Sequence, residues 1–323
     1  MEWPMSTKKL KLIYLILAHQ SPEQLLRLVN RLHGEEVYFH IHVDAKVDWA
    51  PFQTLLSKFP SVHFVEQRER CIWGDYSITQ ATLKLAQAAV EHHEQGMTIL
   101  LSGQDYPLYD ANHIRAFFAD KQDCCFIDSL PIAENWKGQQ LKVRTRYYRF
   151  TTGEGRNDYL TLGLGLRAFS KWARRKIPFS AFKQLFVPRR PPIPLHGGTN
   201  WWSMPIDALR CLNDYYLAHK QVLNSYFKYT HCSDEIFFQS LLQASISGNK
   251  AFRIKPAVQY ANWERKNVPL PVTFEQADLA ELWQLPAHKL FARKFDLKKS
   301  NSLLDALDTR LISHSDRPSS ENP

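Results

Sequence analysis

The first 108 residues alternate between strand-like and helix-like hydrophobic patterns, and this alternation restricts the fold more than any other feature. The runs LKLIYLILA (10–18) and VYFHIHVD (37–44) are mainly apolar, β-branched or aromatic, as in buried strands. Between them, SPEQLLRLVNRL (21–32) has Ser21 as a helix cap, Pro22 in the first turn and leucines at helical spacing. Strands joined by helices pair in parallel within one sheet. We therefore predict an α/β fold whose central sheet is mostly parallel and flanked by helices.

The alternation continues beyond the second strand. We expect a helix from Pro51 to Phe59, a short strand in VHFVE, a long helix in SITQATLKLAQAAVEHHEQG and a strand in MTILLSGQDYPL that breaks into a loop. Polar side chains stand at the ends of three predicted strands, namely His19, Asp44 and Asp105. Open parallel sheets bind ligands at the carboxyl edge of their strands. These three residues are therefore expected to line the ligand site of a nucleotide-binding platform.

Positive charge is concentrated in one segment. The chain has a net charge of +9 and a pI of about 9.2, and residues 137–190 carry about fourteen Lys or Arg against two acids. We call residues 137–194 the basic arm, and its weak periodicity predicts an insertion that covers the site or extends over the surface. Aromatic residues lie among its cations: Trp172, Phe182 and Phe186. This pattern favours either peripheral contact with an anionic membrane surface or a basic face that only solvent covers.

Length and composition indicate a folded, enzyme-sized protein. With 323 residues, 44% hydrophobic and 23% charged, the chain can bury a large core. Its five cysteines are odd in number and two are adjacent, which favours a reducing compartment. The apolar run from Leu10 to Ala18 is too short to span a bilayer, and no signal-peptide cleavage site follows it. We expect a cytoplasmic protein in which residues 1–300 form one domain, the basic arm is an insertion, and residues 301–323 are a helix and polar tail.

Two acidic residues open the segment SDEIFFQSLLQAS (233–245). Ser233 is placed to cap a helix, and Asp234 and Glu235 then suit the positive end of the helix dipole. The apolar residues of the segment also put Glu235 beside buried surface, where desolvation makes a carboxylate more basic. The pattern allows a structural role for both acids or a general base at Glu235.

Two adjacent cations, Arg293 and Lys294, lie between Phe291 and Phe295. In one interpretation their charged ends are exposed, and the aliphatic parts of both side chains lie along the flanking phenylalanine rings. In the other they clamp a diphosphate, because a guanidinium fork and an ammonium group both suit phosphate oxygens. The sequence has no P-loop, GxGxxG, HExxH or GxSxG motif and no clear D-x-D pair. We therefore expect neither a metal nor another cofactor, and protein cations would balance the phosphate charge.

Eight ordered blocks resemble the core-2/I-branching glycosyltransferase family, which includes β-1,6-N-acetylglucosaminyltransferases and peptide O-xylosyltransferases. The blocks are YLILAHQSPEQLLRLV, FHIHVDAK, IWGDYSITQATL, LLSGQDYPL, GGTNWWSM, SDEIFFQSLL, NWERK and LFARKFD, and they run from about residue 12 to about residue 300. The resemblance implies a single Rossmann-like, nucleotide-sugar-binding domain of the GT-A type. It also implies an inverting transfer from a UDP-sugar that needs no metal ion.

The same resemblance implies roles for individual residues. Glu235 would be the general base, Asp44 would contact the uridine, and the two cations near the C-terminus would neutralise the diphosphate. The donor site implied in this way comprises His19, Asp44, Trp73, Asp105, Arg293 and Lys294, and the acceptor or sugar site comprises Asn200, Trp201, Trp202, Trp263 and Arg265.

The expected reaction moves GlcNAc or xylose to a hydroxyl of a glycan or lipid-linked acceptor. LFARKFD and NWERK resemble the xylosyltransferase branch, whereas Asn200 stands where that branch has an acidic residue, so peptide O-xylosyl transfer is the alternative. The cysteine usage resembles a bacterial-type, cytoplasmic member. A basic nucleic-acid-binding protein is the alternative from another class. Because that alternative leaves Glu235 and the Arg293–Lys294 pair unexplained, we expect no nucleic acid among the partners.

Overall fold

The computed structural model describes residues 9–163, 186–247 and 251–309. The predicted basic helix LRAFSKWARRK and the predicted polar tail SHSDRPSSENP lie outside the described residues, as do Trp172 and Phe182. Within the described ranges, no helix combines the length and hydrophobicity needed to cross a bilayer.

A single large sheet forms the centre of the fold, and it has seven strands in the part of the chain that the structure describes. From one edge to the other these are β12 (Arg253–Lys255), β6 (Cys124–Ile127), β11 (Trp202–Pro205), β4 (Met97–Ser102), β1 (Leu12–Ala18), β2 (Val37–Val43) and β3 (Val62–Phe64). Strand β11 runs antiparallel to β4 and β6, and all other neighbours in this sheet are parallel. The predicted α/β fold with a mostly parallel sheet is confirmed.

Helices and smaller sheets surround this centre. The helices are α1 (Pro22–Leu32), α2 (Ala50–Leu56), α3 (Tyr76–His92), α4 (Ala111–Ala119), α5 (Ile132–Asn135), α6 (Gly138–Thr145), α7 (Ile206–Phe227), α8 (Phe237–Ser245), α9 (Leu279–Trp283) and α10 (Leu297–Thr309). A second sheet contains β13 (Gln259–Ala261), β14 (Phe291–Arg293) and β5 (Asp105–Pro107), in that order. Two further pairs are β8 (Tyr148–Thr151) with β9 (Tyr159–Leu162) and β7 (Leu130–Pro131) with β10 (His196–Gly197).

Burial on both faces explains the continuous hydrophobic run in β1. Successive side chains of a strand point to opposite faces of the sheet. Leu12, Tyr14 and Ile16 enter the core shared with α1 and α10, whereas Ile13 and Leu15 enter the core shared with α3, α7 and α8. All five side chains are completely buried. A parallel strand covered in this way has no polar face, so its sequence does not alternate.

The predicted elements of the N-terminal half are present, with shifts at their ends. Helix α1 ends at the predicted residue, but the side chain of Ser21 makes no capping hydrogen bond. The helix expected from 51 to 59 is α2, which ends at Leu56. Strand β6 and the β8–β9 hairpin were missed, because their strands have only four residues and lie where the periodicity is weak. All five cysteines are free thiols.

One buried glutamine fixes the second sheet to the first. The amide nitrogen of Gln24 donates to the carbonyl oxygens of Gly103 (3.0 Å) and Phe295 (2.9 Å). Its side-chain oxygen accepts a hydrogen bond from the backbone N–H of Leu297 at 3.0 Å. Gln24 is 2% exposed, so these bonds form away from water, where losing one costs most. They hold the loop after β4 against the segment that follows β14.

Four histidines meet where β2, β3 and α3 come together. The Nε2 atoms of His40 and His93 are 3.0 Å apart, and the rings of His63 and His92 flank His40. Burial, followed by neighbouring positive groups, lowers the pKa of His40 to about 3 and that of His93 to about 4. Both side chains are almost completely buried. The folded protein therefore keeps His40 and His93 neutral.

This cluster predicts that the protein loses stability in mild acid. An unfolded histidine titrates near pH 6.5, so below that pH the unfolded chain binds protons that the folded protein excludes. Between about pH 6 and pH 5 we expect the free energy of unfolding to fall by up to about 1.4 kcal/mol per pH unit for each of His40 and His93. Urea unfolding at a series of pH values measures this slope. His40→Gln should reduce the slope and His33→Gln, on an exposed side chain, should not; a flat profile in the parent protein would contradict the prediction.

Candidate active site

Arg293 is held in place from two sides at the end of β14. It pairs in register with Asp105 of β5, and its Nη1 is 3.5 Å from the Oδ2 atom of Asp105. Its guanidinium carbon lies 4.0 Å from the centre of the Trp201 ring. The side chain of Arg293 is 14% exposed. The interpretation of an exposed cation is therefore wrong for Arg293, and its peptide bond to Lys294 is cis.

Asp105 orients Arg293 rather than facing the cleft. Its Oδ2 accepts hydrogen bonds from both the backbone N–H and the hydroxyl of Ser102, the latter at 2.6 Å. The residue has no exposed surface. Burial raises the pKa of Asp105, while the Arg293 guanidinium and the Ser102 hydrogen bonds act in the opposite direction. The prediction that Asp105 touches the donor directly is corrected: a side chain without accessible surface can act on a ligand only through Arg293.

Asp44 closes a turn at the carboxyl end of β2. Its Oδ1 accepts hydrogen bonds from the backbone N–H groups of Lys46 (2.8 Å) and Cys71 (3.3 Å). Its Oδ2 is 3.5 Å from the ammonium group of Lys46. Asp44 is 3% exposed, so it has the structural role that a turn residue at a strand end can have. A contact with uridine stays a prediction.

His19 lies within electrostatic reach of Asp44 and of both C-terminal cations. Its surface is exposed, yet partial desolvation in the crevice is the main cause that lowers its pKa. Asp44 counteracts this effect, whereas Arg293 and Lys294 add to it. Four of the predicted donor residues, His19, Asp44, Arg293 and Lys294, thus lie close enough to interact electrostatically, and their contact with a donor stays a prediction.

Glu235 lies in a 3-10 turn, Ser233–Glu235, that precedes α8. The prediction that Ser233 caps this helix is wrong, because its hydroxyl is bonded to the Thr79 hydroxyl at 2.8 Å and the helix begins only at Phe237. The Glu235 side chain is 29% exposed. It therefore projects from a turn where it remains accessible, instead of lying along the first turn of a helix.

Arg144, on α6 of the basic arm, holds the carboxylate of Glu235. Its Nη2 donates to Glu235 Oε2 at 2.8 Å, and its guanidinium carbon lies 4.2 Å from the centre of the Trp136 ring. Within the described residues, the other carboxylate oxygen of Glu235 accepts no hydrogen bond. Sequence analysis missed this contact, and the signal available was the charge excess of the basic arm. The start of that arm thus lies against the candidate base.

Asp234 places a second carboxyl group beside Glu235. Burial, followed by the negative charge of Glu235, raises the pKa of Asp234 to about 7. Its Oδ1 is buried and has no hydrogen-bond partner among the described residues. A carboxylate of raised basicity is therefore found at Asp234.

A short segment connects the turn of Glu235 to Arg293. The backbone N–H of Gly198 donates to the carbonyl oxygen of Glu235 at 3.0 Å, and Trp201 stacks on Arg293. Three residues of extended chain span at most about 11 Å. The turn of Glu235 and the side chain of Arg293, which are distant in sequence, are therefore linked by a short segment.

Trp73 lies beside the β8–β9 hairpin of the basic arm. Its ring is 41% exposed, and its centre is 5.8 Å from that of His231 and 6.5 Å from that of Tyr159. Tyr159 belongs to β9 of the basic arm. The predicted donor residue Trp73 therefore keeps an accessible aromatic surface next to the arm.

The predicted acceptor residues do not form one group. Trp202 is completely buried in β11, where its ring packs against Phe238 at 5.6 Å, so the prediction that it contacts a sugar is corrected. Arg265 is engaged in a local network with Asp278 and Glu281, at 2.7 and 2.8 Å. It therefore stabilises its own loop.

In two other predicted acceptor residues, part of the side chain is exposed or has no partner among the described residues. Trp263 follows β13 and is 53% exposed. The side-chain oxygen of Asn200 is buried without a hydrogen-bond partner among the described residues. Across the described ranges, no three His, Cys, Asp or Glu side chains are grouped as a metal site would require.

The close approach of the chain at Gly198 gives a stability prediction. A Cβ atom at this position would lie 1.9 Å from the backbone oxygen of Asp128, which cannot move independently. We expect Gly198→Ala to lower the free energy of unfolding by about 1–3 kcal/mol, as other overpacking changes do. Gly197→Ala is the matched control, since its Cβ would meet a side-chain atom of Trp136 at 2.2 Å, and a side chain can rotate away. Urea unfolding compares the two; a smaller loss for Gly198→Ala would contradict this account.

The seven-stranded, mostly parallel sheet with its flanking helices is a mixed α/β fold consistent with GT-A-like glycosyltransferases. The family described as "Core-2/I-Branching enzyme" matches residues 12–283, and the chain therefore belongs to this glycosyltransferase family.

Individual relatives are distant, and two of the three named here cover almost the whole chain. Xylosyltransferase 2 of Homo sapiens is 22% identical over 329 residues, covering 95% of this chain and 34% of its own length. The Xylosyltransferase of Ciona intestinalis is 22% identical over 324 residues, with shares of 94% and 34%. Xylosyltransferase oxt of Drosophila melanogaster is 29% identical over 107 residues, which is 32% of this chain and 12% of that protein. The chain thus spans about a third of the length of the first two.

Proposed function

We propose that this protein is an inverting glycosyltransferase that moves a sugar from a UDP-sugar to a hydroxyl of a glycan or lipid-linked acceptor without a metal ion. The observation that carries the proposal is the short segment from Gly198 to Trp201, which connects the turn of Glu235 to Arg293. A base and a cationic site are the two groups that such a transfer needs at opposite ends of the bond that breaks.

The cationic side of the cleft suits a departing diphosphate. Arg293 is oriented by the buried carboxylate of Asp105 and by the ring of Trp201, so its position is fixed before any ligand binds. Lys294 adds a second positive charge, although desolvation lowers its pKa. As the bond from the anomeric carbon to the diphosphate oxygen breaks, its electron pair passes to the diphosphate. Preorganised donors stabilise the negative charge that develops there.

The carboxylate side of the cleft suits the attacking acceptor. Glu235 takes the proton of the acceptor hydroxyl while the hydroxyl oxygen bonds to the anomeric carbon on the face opposite the diphosphate. Attack from that face inverts the configuration at this carbon. The contact with Arg144 fixes one carboxylate oxygen, which leaves the other for the acceptor.

The identity of the transferred sugar is proposed from the names of the relatives. The relatives named above are xylosyltransferases, which favours xylose, and GlcNAc is the other candidate. Contact of the basic arm with an anionic membrane stays a prediction, because Trp172 and Phe182 lie outside the described residues.

A donor screen tests the proposed function. The protein is incubated with UDP-xylose, UDP-GlcNAc, UDP-glucose, UDP-galactose and UDP-glucuronic acid in the presence of EDTA, and binding is followed by saturation-transfer NMR and donor turnover by UDP release. We expect one donor to bind and to release UDP with EDTA present. Binding of none of the five, or binding that requires added Mg²⁺ or Mn²⁺, would contradict the proposal.

A further inference from the structure

The ring of Trp136 lies against the backbone at Gly197. A Cβ atom at Gly197 would be only 2.2 Å from Cζ3 and 2.6 Å from Cη2 of this ring, so the glycine makes room for the tryptophan. Trp136 is also partly buried against the core shared with α3, α7 and α8. Its backbone N–H donates to the carbonyl oxygen of Ile132 at 3.1 Å. The position of the ring in the parent protein is therefore fixed by packing and by the backbone.

Arg144 contacts the same ring. Its guanidinium carbon lies 4.2 Å from the ring centre of Trp136, and its side chain is largely buried. All eight residues of α6 are described and none is buried, so the helix that carries Arg144 contributes little packing of its own. Contact between a guanidinium and an aromatic face gains strength where water is excluded. Trp136 therefore holds the Arg144 guanidinium in a position that the packing of α6 alone would not fix.

A closed set of contacts connects this pair to Glu235. Arg144 Nη2 donates to Glu235 Oε2 at 2.8 Å, and the carbonyl oxygen of Glu235 accepts the backbone N–H of Gly198 at 3.0 Å. Gly198 follows Gly197, against which the Trp136 ring lies. The side chain and the backbone of Glu235 are thus attached to the same local structure by separate contacts. This double attachment limits the directions in which the other carboxylate oxygen can point.

We propose that Trp136 is a positioning residue for sugar transfer, which acts through Arg144 to aim the carboxylate of Glu235 at the acceptor hydroxyl. The inference rests on the proposed function, in which Glu235 is the general base. Proton transfer requires the base to be aligned with the hydroxyl and within hydrogen-bond reach, and a small displacement of such a group can lower the rate by orders of magnitude. In this role Trp136 touches neither the donor nor the acceptor.

The release of UDP from UDP-xylose by the full chain tests the inference, with UDP-GlcNAc in its place if the donor screen selects that sugar. Water then replaces the acceptor and passes its proton to Glu235. We expect Trp136→Leu to lower kcat about tenfold to a hundredfold, because leucine offers no aromatic face to the guanidinium. The KM of the donor and the calorimetric affinity for UDP should stay within about twofold of the parent values.

Two variants control for the type of side chain that is lost. Trp136→Phe keeps an aromatic face and should recover most of kcat. Phe117→Leu is the matched control, since it removes a ring on α4 that the ammonium group of Lys121 contacts at 4.8 Å. It should leave kcat unchanged.

A double-mutant comparison distinguishes positioning from a general structural effect. Glu235→Gln already removes the base, so adding Trp136→Leu to it should lower kcat by no more than about a further twofold. Gly197→Ala keeps both Trp136 and Arg144 but pushes the ring aside. It should therefore lower kcat in the same range as Trp136→Leu.

The outcomes separate this inference from the proposed function. A kcat for Trp136→Leu within about twofold of the parent value would overturn the role of Trp136 and leave the proposed function standing. An undiminished further loss in the Glu235→Gln background, or an equal loss of UDP affinity, would also overturn it, because Trp136 would then act on the fold or on another group. If Glu235→Gln leaves kcat unchanged, or the parent protein releases no UDP, the proposed function is wrong and this inference falls with it.

Discussion

Glu235→Gln is expected to lower the rate of sugar transfer by about a hundredfold to ten-thousandfold, the usual contribution of a positioned general base. The amide cannot accept the proton of the acceptor hydroxyl. It can still accept the hydrogen bond that Arg144 donates, so the turn and the cleft should keep their shape. UDP binding should therefore stay within about twofold of the parent protein, because the base contributes to the transition state and not to ground-state affinity. Single-turnover transfer and calorimetric UDP titration measure the two quantities.

The neighbouring carboxyl group provides the control for this assignment. Asp234→Asn removes an acid one residue away whose pKa is about 7, and it should reduce transfer much less. If Asp234→Asn abolishes transfer and Glu235→Gln does not, the base is Asp234 and our assignment is wrong.

Arg293→Ala is expected to lower kcat/KM by about a hundredfold to a thousandfold, the effect of removing one preorganised donor at a developing negative charge. The change also leaves the buried carboxylate of Asp105 without its cation, so some loss of stability is expected as well. Arg293→Lys keeps the charge but lacks the planar fork and the stacking on Trp201, and it should recover only part of the activity.

The variant Lys294→Ala distinguishes the loss of diphosphate binding from a loss of stability. Lys294 forms no ion pair among the described residues, so its removal leaves no buried carboxylate unpaired. We expect kcat/KM to fall while the melting temperature stays within about 2 °C of that of the parent protein. UDP affinity and thermal unfolding of all three variants measure these effects. Full activity in both alanine variants would contradict the role of the two cations.

The parts of the fold that follow from local pattern could be predicted from the sequence. Strand β1 and helix α1 were placed correctly because burial on two faces gives a continuous apolar run and burial on one face gives helical spacing. The start of α8 could not be placed, because Ser233 bonds to Thr79, which is 154 residues away in sequence. In a single sequence, a serine that caps a helix cannot be distinguished from a serine that bonds to a distant residue.

The sequence indicated which charged residues belong to the candidate site but not which partners they contact. The Arg293–Lys294 pair was visible because two adjacent cations between aromatic residues are unusual. The sequence could not show that Asp105 is buried beneath Arg293, since a polar residue at a strand end can face either the ligand or the chain itself. Arg144 was missed because it reaches Glu235 across 91 residues, from a segment with weak periodicity.

The crystal structure of the protein with bound UDP, grown in the presence of EDTA, tests the central claim most directly. The account predicts diphosphate oxygens at about 2.7–2.9 Å from Arg293 and Lys294, and the open face of the terminal phosphate directed towards Glu235. UDP bound at another edge of the sheet, or a diphosphate that contacts neither cation, would contradict it.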